Sequence, residues 1–320
     1  MNVIFFGTPE FAVFSLRAIV EHKSSSAPVH TIRAVVTQPD KKKGRTLKAV
    51  LPPVKLAALE YGIDVMQPES IKTEEFKNAI IAYKPDIIVV VAYGKIMPAG
   101  LLSLPLFGGV NVHPSLLPKY RGAAPIQWAI ARGEVQTGVC TMQMDEGMDT
   151  GAVYKCVLVD IKEDDTYASL SKRLAQIGGT LLVETIDAIA VGSIGLTKQA
   201  SVGVSMAPPV RKEDGLINWQ MSATEIANRT RGFNPWPCTY TYINGKRVKL
   251  LGVVPLLDDL STSKEVPGTI IKKDKEGFYI KTGEGIISIK ELQPEGKKTM
   301  DYKAFLQGRL NREGDALYVG

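Results

Sequence analysis

The chain has 320 residues, 45% of them hydrophobic and 22% charged, with a net charge of +6 and a pI near 9.0. This length suits two domain cores, and the composition excludes disordered, collagen-like and disulfide-scaffold chains. No apolar run reaches 18 residues, three cysteines form no CxxC pair, and no charged-then-apolar leader precedes the first strand. A cytoplasmic protein with reduced thiols and no membrane helix is therefore expected.

Residues 2–6 (Asn-Val-Ile-Phe-Phe) read as a buried strand. Gly7-Thr8-Pro9 then turns into a helix over 9–21, with Thr8 able to cap and Pro9 fitting the first helical position. One glycine in that turn does not make a G-x-G-x-x-G fingerprint, so no dinucleotide is expected. A strand over 31–37, a basic loop over 38–50, a helix over 53–61, a short strand over 64–66 and a helix over 73–83 follow. Residues 86–92 (Asp-Ile-Ile-Val-Val-Val-Ala) are the most apolar strand, the pattern of a central parallel strand covered on both faces. The next strand runs into Asn111-Val112-His113-Pro114. This alternation predicts a doubly wound, mainly parallel, Rossmann-like α/β sheet with ligands beyond its strand C-termini. The ends at Gly7, Ala92 and His113 would share one crevice.

A helix over 124–132 precedes two strands, 138–144 and 152–160, joined by an acidic turn. A long helix over 166–190 contains Gly178-Gly179, which should weaken or kink it. Residues 192–208, rich in Gly, Ser, Gln and Pro, read as a linker between a catalytic domain over 1–191 and a second domain over 209–320. In that second part, Ser222-Ala-Thr-Glu225 is a capping box and Asn244-Gly245 a hairpin turn, with further short strands and a final helix over 301–310. Such a run of short strands suits an OB-like β-barrel.

Asn111 and His113 lie two apart on a strand end, so an amide and an imidazole share a face. Alone, the pair reads more readily as a turn amide and a satisfied core histidine. Asp149, in the turn Asp145-Glu-Gly-Met-Asp149-Thr-Gly, makes it a constellation: oxyanion donor, imidazole and carboxylate, with no Ser or Cys nucleophile. The nucleophile must then come from a substrate, as in acyl-type transfer to an amine. Three histidines and no Cys/His cluster at zinc spacing predict no bound metal. Lys41, Lys42, Lys43, Arg45 and Lys48 place five cations in eight residues, a candidate phosphate-contacting loop in which Gly44 allows close approach. Residues 209–320 carry 18 Lys+Arg against 14 Asp+Glu, so basic excess is not confined to that loop.

Asn111-x-His113-Pro-Ser-Leu-Leu-Pro-x-Tyr-Arg-Gly122, with Asp149 in Met-Asp-Glu-Gly-Met-Asp-Thr-Gly, resembles the signature of folate-dependent formyltransferases. Gly7-Thr-Pro-Glu-Phe-Ala12, Thr37-Gln-Pro-Asp40 with the basic loop, and Arg231-Gly-Phe-Asn-Pro-Trp-Pro237 narrow the resemblance to the methionyl-tRNA branch. It runs in order along nearly the whole chain. It implies 10-formyltetrahydrofolate as co-substrate, initiator methionyl-tRNA as acceptor, and Asn111, His113 and Asp149 as catalytic residues. The folate would rest on Val91, Ala92, Tyr93, Gly94, Ser115, Leu116, Leu117, Pro118, Asp145 and Gly147. Phe11 would lie near the methionine, and Arg45 would enter the tRNA acceptor end. A monomer is the simpler expectation. An alternative is a formyltransferase acting on a sugar-nucleotide or nucleotide amine. Cys238, where the family more usually has Gly, and Ala152, where an acidic residue is common, depart from the pattern.

Overall fold

The computed structural model describes residues 1–22, 29–43, 48–256, 265–273 and 277–307. They cluster into two compact units: Met1–Pro125 with Gln136–Asp160 and Ser171–Pro208, and Ile126–Val135 with Ile161–Leu170 and the chain from Pro209 onward.

The first unit is built on a seven-stranded sheet. Its chain runs β1 (Asn2–Gly7), α1 (Glu10–Glu21), β2 (Thr31–Val36), β3 (Lys41–Lys43), β4 (Lys48–Val50), α2 (Pro53–Glu60) and β5 (Val65–Met66). It continues with α3 (Glu74–Ala82), β6 (Ile87–Val91), α4 (Ala99–Leu102) and β7 (Gly109–His113). After α5 (Pro125–Ala131), which clusters with the second unit, come β8 (Gln136–Gln143), β9 (Val153–Asp160) and α6 (Tyr167–Ala190). The sheet order is β5-β2-β1-β6-β7-β8-β9. The first five are parallel, and β8 and β9 add an antiparallel edge. The chain builds outward from β1 through β2 to β5, then returns to lay β6 on the other side of β1. That reversal puts the switch point between β1 and β6, where Gly7 pairs with Val91.

Apolar residues dictate this arrangement. Ile4, Phe6, Ile88 and Val90 join a core with Phe76, Ile80, Tyr93 and Leu101 on one side of the sheet. The alternate residues Val3, Phe5, Ile87, Val89 and Val91 are also buried, so both faces of the central strands are covered. Helix α6 runs unbroken through Gly178-Gly179. A Cβ at Gly178 would stand 2.9 Å from Val112, and one at Gly179 would stand 2.9 Å from the Phe14 carbonyl. The two glycines let α6 approach the sheet and α1 closely; they do not kink it.

Two further expectations change. The segment after β2 is not an irregular loop throughout: β3 and β4 pair antiparallel, Lys41 with Val50 and Lys43 with Lys48. Cys140 and Cys156 are not separate thiols. The β8–β9 register sets them opposite each other, with Cα atoms 4.1 Å apart, and they are disulfide-bonded. Spacing along the sequence carries no sign of this, because the register alone brings them together.

Residues 192–208 are tied to the first unit by specific bonds. Thr197 and Val153 exchange both main-chain hydrogen bonds at 2.8 Å, and Arg121 N–H donates to Ser205 O at 2.9 Å. Elsewhere in this unit, Asp187 of α6 accepts from buried His30 Nε2 at 2.6 Å and lies 3.1 Å from His22 Nε2.

The second unit joins α7 (Ala223–Gly232) to β10 (Thr239–Ile243), β11 (Lys246–Leu256), β12 (Ile270–Lys273), β13 (Phe278–Lys281), β14 (Ile286–Pro294), β15 (Met300–Asp301) and α8 (Tyr302–Gln307). The antiparallel order β10-β11-β14-β13-β12, with β15 on β14, is OB-like. Ile226, Val248, Leu250, Phe278, Ile280, Ile287, Ile289 and Phe305 form its core. The Ser222–Glu225 capping box is present. Gly232 lets α7 meet α5: a Cβ there would lie 2.9 Å from Gln127 O.

Two predictions test the packing. Gly179→Val should destabilise by about 1–3 kcal/mol through overpacking against main chain, read as a lower urea midpoint. Burial lowers the His30 pKa below its ordinary 6.5, against the opposing pull of Asp187. The unfolded chain then binds a proton that the folded chain resists, so stability is full above that ordinary value and is lost as pH falls below it. Hydrogen-exchange protection in α1 and β2 should drop between about pH 7 and pH 5.5, and His30→Gln should flatten that dependence.

Candidate active site

The crevice beyond the strand ends is assembled from β1, β6 and β7. Gly7 closes β1, and a Cβ there would lie 2.7 Å from the Phe5 ring and 2.8 Å from Ala12 Cβ. Glycine therefore allows α1 to start close over the sheet. Beside it, β6 ends at Val91, and the chain turns away through Ala92 at φ 47° and Gly94 at φ 86°. Tyr93 packs edge-on to Phe6 with ring centroids 5.2 Å apart. Its hydroxyl is buried without a hydrogen-bond partner among the described residues, and burial pushes its pKa up to about 12. Its carbonyl accepts from Thr8 Oγ1 and from Gln38 Nε2, each at 3.1 Å. Thr8 thus serves the crevice, and α1 has no side-chain cap.

One register position along, Asn111 of β7 pairs with Val90. Its Oδ1 is buried and has no hydrogen-bond partner among the described residues. His113, on the same face, is 4% exposed, and its Nε2 lies 2.9 Å from Tyr120 O. A carbonyl only accepts, so Nε2 carries the hydrogen and Nδ1 is left for exchange. Nδ1 faces Asp149 Oδ1 at 3.5 Å. The other carboxylate oxygen, Oδ2, accepts from Gly122 N–H at 2.8 Å. The structure therefore brings Asn111, His113 and Asp149 to one place, with the carboxylate on the proton-exchanging side of the ring.

The turn between His113 and Gly122 fixes this geometry. Ser115 N–H donates to His113 O at 2.9 Å, and Ser115 Oγ donates to Lys119 O at 2.6 Å. That hydroxyl is engaged inside the turn. Leu116 packs on Gly138 of β8, where a side chain would collide with it, and the Leu117–Pro118 peptide is cis. Tyr120 at φ 59° and Asp149 at φ 54° are left-handed, as is Ala92. Each such non-glycine residue costs about 1–2 kcal/mol, and such strain concentrates at functional sites.

Asp145 organises the acidic turn, its Oδ1 accepting from Gly147 N at 3.0 Å and Thr150 Oγ1 at 2.7 Å. Gly147 is required there, since a Cβ would strike the Thr150 side chain. Phe11 sits half-buried in the first turn of α1. Lys41 is exposed at the start of β3, Lys42, Lys43 and Lys48 lie in the β3–β4 ladder, and Arg45 falls outside the described residues. The root of that hairpin is anchored: Asp40 accepts from Lys55 Nζ at 2.8 Å and from Gln67 Nε2 at 2.7 Å, and these bonds lower its pKa. Among the described residues, no group of three or more His, Cys, Asp or Glu is placed to hold a metal ion. No helix among them is long and apolar enough to cross a membrane.

Sequence reasoning missed Gln38, Arg121 and Gln199. Arg121 stood inside the motif that drew notice to Asn111 and Gln38 inside Thr37-Gln-Pro-Asp40, whereas Gln199 carries no local signal. Gln199 Nε2 donates to Asp149 O at 2.9 Å and Gly151 O at 2.7 Å, and its Oε1 accepts from Arg121 Nε and Nη2 at 3.1 and 2.7 Å.

Comparison with known proteins bears on the family and the fold. Residues 1–186 match the formyl transferase family and residues 209–310 match the formyl transferase C-terminal domain. The methionyl-tRNA formyltransferase of Desulfotalea psychrophila is 44% identical over 96% of this chain and 93% of its own length. That of Thermodesulfovibrio yellowstonii is also 44% identical, over 98% and 97%. The chain belongs to the methionyl-tRNA formyltransferase family. The formyltransferase fold also extends to distant structures. A sugar 3N-formyltransferase, WlaRD, superposes with a TM-score of 0.64 at 21% identity, covering 93% of this chain and 99% of that one. HypX from Aquifex aeolicus in complex with tetrahydrofolic acid gives 0.61 at 18%, covering 97% of this chain and 48% of that one. At such identities the likeness is one of fold.

Proposed function

We propose that this enzyme transfers the formyl group of 10-formyltetrahydrofolate to the α-amino group of initiator methionyl-tRNA, and that Asn111, His113 and Asp149 carry the reaction. The observation that carries the reaction type is the placing of Asn111, whose buried Oδ1 has no partner among the described residues, on the strand face that bears the His113–Asp149 pair. The near-full-length identity to relatives named methionyl-tRNA formyltransferases supports the acceptor.

The folate would supply the one-carbon unit at the formyl level. The crevice suits a flat pterin. Main chain from Val91 to Gly94 would line it, left-handed at Ala92 and Gly94 and carrying no bulky side chain at either. Leu116, Leu117 and Pro118, beside Ser115, and the turn carrying Asp145 and Gly147 would complete its walls.

The chain's own groups orient the partners and move one proton. An α-amine titrates near ~8, so a useful fraction is neutral near neutral pH and needs little activation. Asn111 donates its amide N–H to the carbonyl oxygen as negative charge develops there. His113 Nε2 is committed to Tyr120 O, so the ring exchanges protons through Nδ1 alone. As the amine nitrogen bonds to the formyl carbon it gives its proton to Nδ1, where Asp149 stabilises the imidazolium; collapse of the oxyanion then breaks the bond to folate N10, which takes up that proton and leaves as tetrahydrofolate. His113 reaches the oxyanion as a donor only when Nδ1 is protonated. Phe11 would line the methionine pocket, and Lys41, Lys42, Lys43, Arg45 and Lys48 would contact tRNA phosphates.

Residues 1–191 would form the catalytic domain, 192–208 the connection, and 209–320 an OB-like tRNA-binding domain. The enzyme would act as a cytoplasmic monomer.

The deciding assay offers labelled 10-formyltetrahydrofolate with charged initiator tRNA and, in competition, an amino-sugar nucleotide. Label should pass to the tRNA, and preferential passage to the sugar would overturn the acceptor. Asn111→Ala should lower single-turnover formylation ~100–1000-fold; near-normal turnover would remove Asn111 from the mechanism.

A further inference from the structure

We infer that Gln199 is a positioning residue for the formyl transfer, acting through the main chain that aims Asp149. The inference rests on the proposed role of Asp149, and nothing in the sequence around Gln199 suggests it.

Asp149 holds its carboxylate toward His113 from a left-handed backbone at φ 54°. A non-glycine residue keeps that conformation only where its surroundings over-determine it. The carboxylate is held by Gly122 N–H, and the main chain of the turn is held by one side chain. Gln199 Nε2 reaches Asp149 O at 2.9 Å and Gly151 O at 2.7 Å, so both hydrogens of the amide grip the turn on either side of Thr150. Its Oε1 accepts side-on from Arg121, Nε at 3.1 Å and Nη2 at 2.7 Å. The amide orientation is not ambiguous, because carbonyls only accept and guanidinium only donates.

Arg121 stands between the two contacts that hold the catalytic pair. Its predecessor Tyr120 gives the carbonyl that orients His113, and its successor Gly122 gives the N–H that binds Asp149 Oδ2. Gln199 thus bridges the histidine side of the site to the aspartate side. The strap carrying it is fixed at both ends: Thr197 pairs with Val153, Ser205 Oγ accepts from Tyr120 N at 2.9 Å, and Ala207 N donates to Arg121 O at 2.7 Å. With the strap anchored elsewhere, removing the amide should loosen the turn and leave the fold in place.

Supporting groups of this kind commonly change function 10–100-fold, and small misplacements of reacting groups have effects of similar size. Gln199→Ala and Gln199→Glu should each lower kcat about 10–100-fold with KM for folate and tRNA moved less than about 3-fold. Gln199→Glu keeps an oxygen for Arg121 but sets a carboxylate against two carbonyls, so it should not rescue. Both variants should alter the pH profile of kcat, whereas Thr197→Ala, whose pairing with Val153 is main-chain, should not. Arg121→Lys gives a second reading should the Gln199 variants fold poorly: one bond to Gln199 replaces two, and kcat should fall with the same KM split. Asp149→Asn is measured in parallel. If it turns over normally, Asp149 is not catalytic and the proposal falls with that reading. If Asp149→Asn is crippled while the folded Gln199 variants, or Arg121→Lys in their place, keep kcat within about 3-fold and an unchanged pH profile, the positioning role alone is overturned.

Discussion

The bond from His113 Nε2–H to the carbonyl of Tyr120 is the constraint on which the rest of the site depends. It fixes which ring nitrogen carries hydrogen and so turns a buried imidazole into a one-sided proton acceptor. For that carbonyl to point at the ring, Tyr120 adopts a left-handed backbone, and the chain from Pro114 to Gly122 folds as a hydrogen-bonded turn around Ser115. The same turn then presents Gly122 N–H to Asp149. One main-chain excursion therefore sets the tautomer, the ring plane and one edge of the opposing carboxylate.

The sheet supplies the rigidity that such a turn requires. β1 and β6 are dry on both faces, and their switch point delivers Gly7 and Val91 to the floor beside Asn111. The helices are held close by glycine at the contact points, with α6 against Val112 of β7 and Val139 of β8. At Asn111 the buried Oδ1 has no hydrogen-bond partner among the described residues, a cost that the rest of the frame carries.

Much of this was legible in the sequence wherever a single segment carried the signal. The β-branched run of β6, the Asn244-Gly245 hairpin, the Ser222–Glu225 capping box and the Asn111/His113 strand end are all local patterns. What failed was non-local. Gly178-Gly179 read as a helix defect because the contacts that demand glycine, Val112 and Phe14, come from distant strands and helices. Cys140 and Cys156 read as separate thiols because their meeting is a property of register. Thr8 read as a cap because its true partner, Tyr93 O, lies 85 residues away. At the candidate site, Asn111, His113 and Asp149 were singled out by type, spacing and resemblance. The groups that aim them are main-chain atoms of Tyr120 and Gly122 and a glutamine beyond α6, for which sequence offers no pattern.

The most direct test of this account is the tautomer of His113 itself. The chain has three histidines, so nitrogen NMR of the labelled enzyme, assigned with His22 and His30 variants, can read its two ring nitrogens separately. The account predicts that neutral His113 carries its hydrogen on Nε2, with Nδ1 bare and facing Asp149. A hydrogen on Nδ1 in the neutral ring would contradict it.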